Sequence, residues 1–261
     1  MDLEVRGIGL VALGLSDWPT AVPVLRGEQP YASAPLDKLA PARLASAERR
    51  RAAAVTRLAI AAAGEALGDA DPTDIPAVFA SSEGDLVTTD ELCRSMNAEP
   101  PWVSPMRFHN AVHNAAVGYW SIAVGVQANT TSLCTYDETF AGGLLEAAAQ
   151  MAADDIEECL LVAYDDVVPD PLHAFRPISQ PFAVALRLAR AASRPDLRLS
   201  FAGGTAAEPT MDDDGLEALR ANNPAARALP LLALLARSAA GTVRLGCPGG
   251  HLRVERPEGG T

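Results

Sequence analysis

The feature that most constrains this chain is an alternation running from residue 3 to residue 165. Short, largely apolar runs take turns with alanine-rich stretches of helical length. Apolar runs fall at 3–13, 75–80 (IPAVFA) and 159–164 (CLLVAY), and 129–135 (NTTSLCT) is β-branched enough for a strand. Runs without polar alternation read as strands buried on both faces, which is the signature of a sheet covered by helices. Between them, 46–67 lacks proline, keeps Val55, Leu58, Ala59 and Ala62 on one side and stops at Gly68, so it reads as one long helix. Thr88 and Glu91 fit a capping box opening a helix through Met96, 111–124 reads as a buried helix, and 139–151 as a small-residue helix. The fold class is therefore α/β, with a mixed sheet of about five strands flanked by helices.

The remaining chain is less regular. Pro30, Pro35 and Pro41 make 29–42 a loop, and Ser16-Asp17 a turn. Segments 182–188 and 197–201 read as an antiparallel pair, 225–235 as a helix, and 242–245 and 251–255 as strands. The stretch 203–215, with Gly203-Gly204 and Asp212-Asp213-Asp214, is expected to be a flexible loop. Its acidic run lacks the alternating ligands and closing Glu of a calcium loop and reads as a solvated turn entering a helix.

Charge narrows the function. A formal net charge of −12 and a pI near 4.7 oppose nucleic acid and anionic membrane, because phosphate binding needs clustered cations. Arg49, Arg50 and Arg51 follow Glu48 directly and read as a solvated helix face. Cys93, Cys134, Cys159 and Cys247 have neither CxxC nor paired spacing, so neither a zinc site nor a disulfide framework is expected. The apolar start follows Asp2 and Glu4 rather than a basic region, and no run approaches the ~18 apolar residues of a spanning helix. A cytoplasmic protein is expected.

The stretch from Ser104 to Tyr164 carries a family resemblance. It runs Ser104-Pro105, then His113-Asn114-Ala115-Ala116-Val117-Gly118-Tyr119-Trp120-Ser121-Ile122, then Gly125, a strand, the helix around Ala141-Gly142-Gly143, and the strand at 159–164. This order resembles the amino-terminal half of the β-ketoacyl synthases of the thiolase superfamily, where an Asn-x-x-x-Gly-(Tyr/His)-x-(Ser/Thr)-Ile helix precedes a strand and the nucleophile turn. The opening Gly7-Ile8-Gly9 strand and the segment from Leu36-Asp37-Lys38 to Leu67 fit as well, so the match covers roughly residues 3 to 190. The resemblance implies half of a thiolase-like fold, with residues 1–200 as the synthase-like half and 201–261 as a short appendage that is not an independent domain.

The nucleophile of that family is a cysteine at a helix amino terminus, where amides and macrodipole stabilise a thiolate. Counted ungapped from Gly118, or back from Ala147, its position falls on Asp137. Asp137 reads first as an N-cap of the 138–151 helix, and second as a nucleophile or base. A carboxylate cannot replace a thiolate as carrier of an acyl thioester. The two histidines expected from a carboxyl-terminal half have no counterpart in His173 or His251, although His251 follows Gly249-Gly250. Cys134, three positions before Asp137, is expected to be buried and inert in its strand.

A short synthase-like chain without the nucleophile resembles the chain-length-factor subunits of aryl-polyene-type polyketide or fatty acid pathways, on Phe108-His109-Asn110, His113-Asn114 and the run from Phe79 to Asp85. The resemblance implies a catalytically silent subunit in a heterodimer with an active ketosynthase, reaching acyl carrier protein only through that partner, with no cofactor and no metal. It places Met106, Arg107 and Phe108 in a loop lining the partner's acyl tunnel, His109, His113 and Asn114 beside it, and Thr130, Thr131 and Ser132 on a strand that continues into the partner's sheet. Two alternatives stand against it. One is a stand-alone thiol enzyme pairing Cys134 with His109 or His113, and the other a homodimeric acyl-binding protein. His109 and His113 share a face if helical, but no further metal ligand sits at motif spacing. Asp165-Asp166, Tyr119 and Trp120 read as structural.

Overall fold

The computed structural model describes residues 1–258. Strand β1 (Asp2–Ala12) opens the chain and runs through its centre. Gly7 and Gly9 there explain how a helix lies flat on the sheet: a Cβ at either position would come within 1.9 or 2.0 Å of the carbonyl oxygens of Ala66 and Ala62. Only glycine allows that approach. The turn at Ser16-Asp17 leads into a helix not foreseen in the sequence, α1 (Trp18–Leu25), capped by Asp17 through a 2.7 Å bond from the Thr20 amide. Pro19 and Pro23 hide it from pattern reading, although proline is at home in a first turn.

The single helix expected at 46–67 is two helices, α2 (Ser46–Arg51) and α3 (Ala54–Leu67), because Ala52 and Ala53 are extended. Tertiary partners meet the carbonyls the break exposes: Asn110 Nδ2 donates to Arg51 O at 2.8 Å, and Arg57 donates to Ala52 O. Strand β2 (Ala77–Ala80) follows, then α4 (Leu86–Met96). Its cap is Asp85, which accepts from the Thr88 amide at 2.9 Å, so Thr88 lies inside the first turn and the Thr88–Glu91 capping box does not form. A short helix, α5 (Pro105–Asn110), precedes α6 (Ala115–Val124), which begins four residues later than expected. Edge strand β3 (Thr130–Leu133), helix α7 (Thr139–Ala153) and strand β4 (Glu158–Asp165) complete the alternating part.

The later segments are β5 (Phe182–Arg190), β6 (Leu197–Gly203), α8 (Asp214–Asn222), α9 (Leu229–Arg237), β7 (Gly241–Cys247) and β8 (Gly250–Arg256). The expected helix at 225–235 is a 3-10 turn, Ala225–Ala228, followed by α9. Asp213 caps α8, as an acidic turn entering a helix should, and Glu208 ties the 203–215 loop to Arg220 and Arg227.

Among the described residues all strands join one mixed sheet of eight, in the order β3-β2-β4-β5-β1-β6-β8-β7, rather than about five. The expected β5–β6 pair does not exist: β1 lies between them and pairs antiparallel with both. Two strands following each other in sequence looked like a hairpin, but β1 is the better partner, apolar and long enough to serve both. The β2–β3 and β2–β4 pairs are parallel, as the helical crossovers require. Helices α3 and α6 cover one face over Phe79, Trp120 and Tyr164. On the other, α1, α7, α8 and α9 close over Leu144, Phe182 and Leu232. Among the described residues no helix is long and apolar enough to cross a membrane.

Candidate functional site

Two regions meet near the carboxyl ends of β2, β3 and β4, the end at which α/β sheets bind ligands. The first is the turn between β3 and α7. Tyr136 adopts φ 55°, and residues Tyr136–Glu138 form a 3-10 turn that swings the chain into the helix. Thr139 closes the turn by donating its hydroxyl to Tyr136 O at 2.6 Å. Asp137 is not the N-cap: that position is Glu138, which makes no side-chain capping bond. Arg176 holds the Asp137 Oδ1, and Arg227 Nη2 lies 3.2 Å from Oδ2. Charge-assisted contacts to two guanidinium groups outweigh neutral amide capping.

The arginines are themselves anchored. Arg176 Nε lies 2.6 Å from Glu83, and its guanidinium stacks 3.9 Å over the Tyr136 ring. Burial works against the Arg176 charge, but Asp137 and Glu83 outweigh it and hold its pKa above the ordinary value. Arg227 continues to Glu208 at 2.9 Å, and Glu208 to Arg220 at 3.2 Å. The result is a chain of ion pairs joining the β2–α4 loop, the start of α7, the loop after β4 and the segment before α9. Asp137 is thus ion-paired to two guanidinium groups while its side chain stays about 40% exposed.

Behind this turn, Asp165 is fully buried at the end of β4. Its Oδ1 accepts from Ser81 Oγ (2.9 Å), the Ser82 amide (2.8 Å) and Ser82 Oγ (2.9 Å), and its Oδ2 from the Ala225 amide (3.2 Å). Burial raises its pKa to about 6, against the pull of the serine hydrogen bonds. It is a structural cross-link, as expected.

Cys134 departs from expectation. It lies just past β3 and is exposed, with its sulfur 3.1 Å from Ser82 O. Among the described residues its sulfur bonds Ser82 O and the Tyr136 amide, and no imidazole. His113 spends both ring nitrogens elsewhere, Nδ1 on Ser132 Oγ at 3.0 Å and Nε2 on Ser81 O at 2.9 Å. His109 is exposed and sets its ring edge against Tyr119. The two histidines do not share a helix either, since α5 ends at Asn110. The dyad that a thiol enzyme needs is not assembled.

The second region is an arm made by α4, α5 and their connection. Trp102 (52% exposed), Met106 (42%) and Phe108 (65%) present large apolar surfaces on it, and Met96 and Val112 are bare too. Arg107 braces the arm, pairing with Glu91 at 3.0 Å and lying 5.6 Å over the Trp102 ring. Asn114 stands exposed at the start of α6 and makes no capping bond. Beside it runs β3, whose Thr130, Thr131 and Ser132 have β2 on one flank only. Sequence reading named Met106, Phe108 and the β3 hydroxyls. It missed Trp102, hidden in a proline-rich stretch, and Arg176, whose only signal is a lone cation between prolines and an exposed Phe175.

The sequence profile described as beta-ketoacyl synthase, N-terminal domain, matches residues 26–246. The chain belongs to that family. A search of curated proteins finds no match. Among solved structures, a chain of the ketosynthase (ApeO) in complex with its chain length factor (ApeC) from Xenorhabdus doucetiae superposes at TM-score 0.75 and 22% identity, covering 98% of this chain and 100% of that one. The ishigamide ketosynthase/chain length factor matches at 0.72 and 15%, covering 98% of each. A β-ketoacyl synthase from Burkholderia phymatum matches at 0.59 and 15%, covering 91% of this chain but 70% of the other. At these identities the likeness is one of fold. This family member thus carries the thiolase-like layers and, at the turn into α7, a carboxylate paired with two arginines.

Proposed function

We propose that this chain is a non-catalytic, chain-length-factor-like subunit that pairs with an active β-ketoacyl-ACP synthase in polyketide or fatty acid biosynthesis of the aryl polyene type. The observation that carries the reading is the turn into α7. Where the family resemblance puts a thiolate, Asp137 has both oxygens held by Arg176 and Arg227. That arrangement holds charge and cannot carry an acyl group.

The arm supports the partnership. Monomeric proteins rarely leave several large apolar side chains bare on one projecting element, and beside it β3 offers unpaired amides and carbonyls. Two of the matched structures are complexes of a ketosynthase with a chain length factor, which agrees with the reading. In this role Met106 and Phe108 would close the floor of the partner's acyl tunnel. The partner supplies the condensing cysteine and meets acyl carrier protein, since this chain's net charge of −12 suits an acidic carrier poorly.

The test is co-expression with the ketosynthase encoded beside it, followed by size-exclusion chromatography and a malonyl-condensation assay. A stable heterodimer is expected, with product length set by both chains and a blue shift of tryptophan fluorescence as Trp102 is buried. A lone homodimer that encloses an acyl chain would instead favour an acyl-binding protein.

A further inference from the structure

Strand β3 is poorly equipped to be an edge. It has only four residues, three of them bearing hydroxyls, and a single ladder to β2. Ordering so short a segment costs backbone entropy that one ladder of parallel bonds hardly offsets. Its side chains alternate between the faces of the sheet, and each face holds it by a polar anchor from a different helix or turn.

On the α6 face, Ser132 Oγ lies 3.0 Å from His113 Nδ1, and His113 Nε2 lies 2.9 Å from Ser81 O. A carbonyl only accepts, so Nε2 carries a proton and donates it to Ser81 O, while Ser132 Oγ sits against both Nδ1 and, at 3.4 Å, the His113 carbonyl. The imidazole therefore straps β3 to the residue that follows β2. On the α7 face, Gln150 Nε2 donates to Thr131 Oγ1 at 2.8 Å and to Glu146 Oε1 at 2.8 Å. Glu146, one helical turn away, fixes the amide so that its other hydrogen points at the strand.

We propose that His113 and Gln150 form a two-sided clamp that preorganises β3 so that its free edge accepts a strand of the catalytic ketosynthase. Both are positioning residues acting through β3. The inference rests on the pairing reading above and adds the device that makes the pairing tight. A strand already held in register binds without the ordering cost that a mobile one must meet.

The clamp is tested on the full chain with two double variants that remove the same hydrogen bonds from opposite sides. His113→Phe with Gln150→Leu keeps volume and deletes the anchors. Thr131→Val with Ser132→Ala deletes the hydroxyls and places a better strand former in β3. Amide hydrogen exchange of residues 130–133 is followed in the lone chain, and affinity for the ketosynthase in titrations. Both variants are expected to exchange about tenfold faster there and to bind about tenfold more weakly, with little change in melting temperature. Unchanged or slower exchange in the Thr131→Val/Ser132→Ala chain overturns the clamp. Faster exchange with unaltered affinity overturns its role in pairing. If the unsubstituted chain binds no ketosynthase, or homodimerises through β3, the pairing reading and the choice of partner fall, while exchange still decides whether the clamp exists.

Discussion

The turn into α7 and the α4–α5 arm lie in one molecule and are opposites. At the turn, charged groups find partners within the chain: Asp137 with Arg176 and Arg227, Arg176 with Glu83, Arg227 with Glu208. On the arm, large apolar groups stay exposed, and Phe108 and Met96 are about two-thirds bare. A catalytic site normally keeps reactive groups unsatisfied and its scaffold satisfied. Here the carboxylate at the turn is ion-paired, and the large apolar side chains of the arm stay exposed. On the proposed reading, interaction surface takes the place of reactivity.

The largest effect should come from the arm. Met106→Asp with Phe108→Asp puts two carboxylates on a surface proposed to be buried, and is expected to weaken the ketosynthase complex more than 100-fold. The lone chain should melt within about 2 °C of the unsubstituted one, because exposed positions contribute little to stability. Isothermal titration and thermal denaturation read the two quantities separately. An unaffected complex would remove the arm from the interface and break the contrast.

The fold was legible where one periodicity ruled and illegible where tertiary partners overrode it. The apolar runs at 75–80 and 159–164 can only be buried strands, and β2 and β4 are found there. Nothing local marks the break after Arg51, since alanine is the best helix former and the carbonyl freed there is met by a distant Asn110. The absence of a β5–β6 hairpin was equally invisible, because β1, almost two hundred residues earlier than β6, intervenes. At the site, spacing placed Asp137 at the turn into α7 but not its carboxylate. Arg176 and Arg227 come from segments 39 and 90 positions further along, and only the fold brings them in.

Next in size is the loss of Arg176. Arg176→Ala leaves Glu83 without its cation and Asp137 with one, and strips the cover from Tyr136. Partial exposure lets water repair some of the damage, so the expected cost is about 2 kcal/mol, a fall of roughly 5 °C in Tm. Partner binding should change less than stability. The reverse order would mean that the saturated region is itself part of the interface, which would dissolve the contrast drawn above.

Asp165 sharpens the picture below that region. Its pKa is about 6 in the fold and roughly 3.9 in an unfolded chain, so the folded state binds its proton more tightly. The stability this contributes is fully present below pH ~4, declines as pH rises towards ~6, and is gone above that. Asp165→Asn cannot ionise and should lose this slope, so that the stability difference between the two proteins changes by about 3 kcal/mol across the window. Urea unfolding at several pH values measures it. Parallel curves would show that the bonds from Ser81 and Ser82 outweigh burial and keep the carboxylate ionised throughout.

The smallest expected effect is the most telling. Asp137→Ala removes the carboxylate from the position that the family resemblance gives to the nucleophile. Arg176 and Arg227 keep Glu83 and Glu208, so neither cation is left unpaired, and the cost in stability should be about 1 kcal/mol or less. Condensation by the heterodimer should proceed at the unsubstituted rate with the same product length, because on the proposed division of labour every covalent step belongs to the partner. A drop in turnover beyond about tenfold, with the complex intact by size exclusion, is more than so small a structural change can explain. Asp137 would then take part in the chemistry, and the contrast between a saturated turn and an unsatisfied arm would no longer separate reactivity from contact.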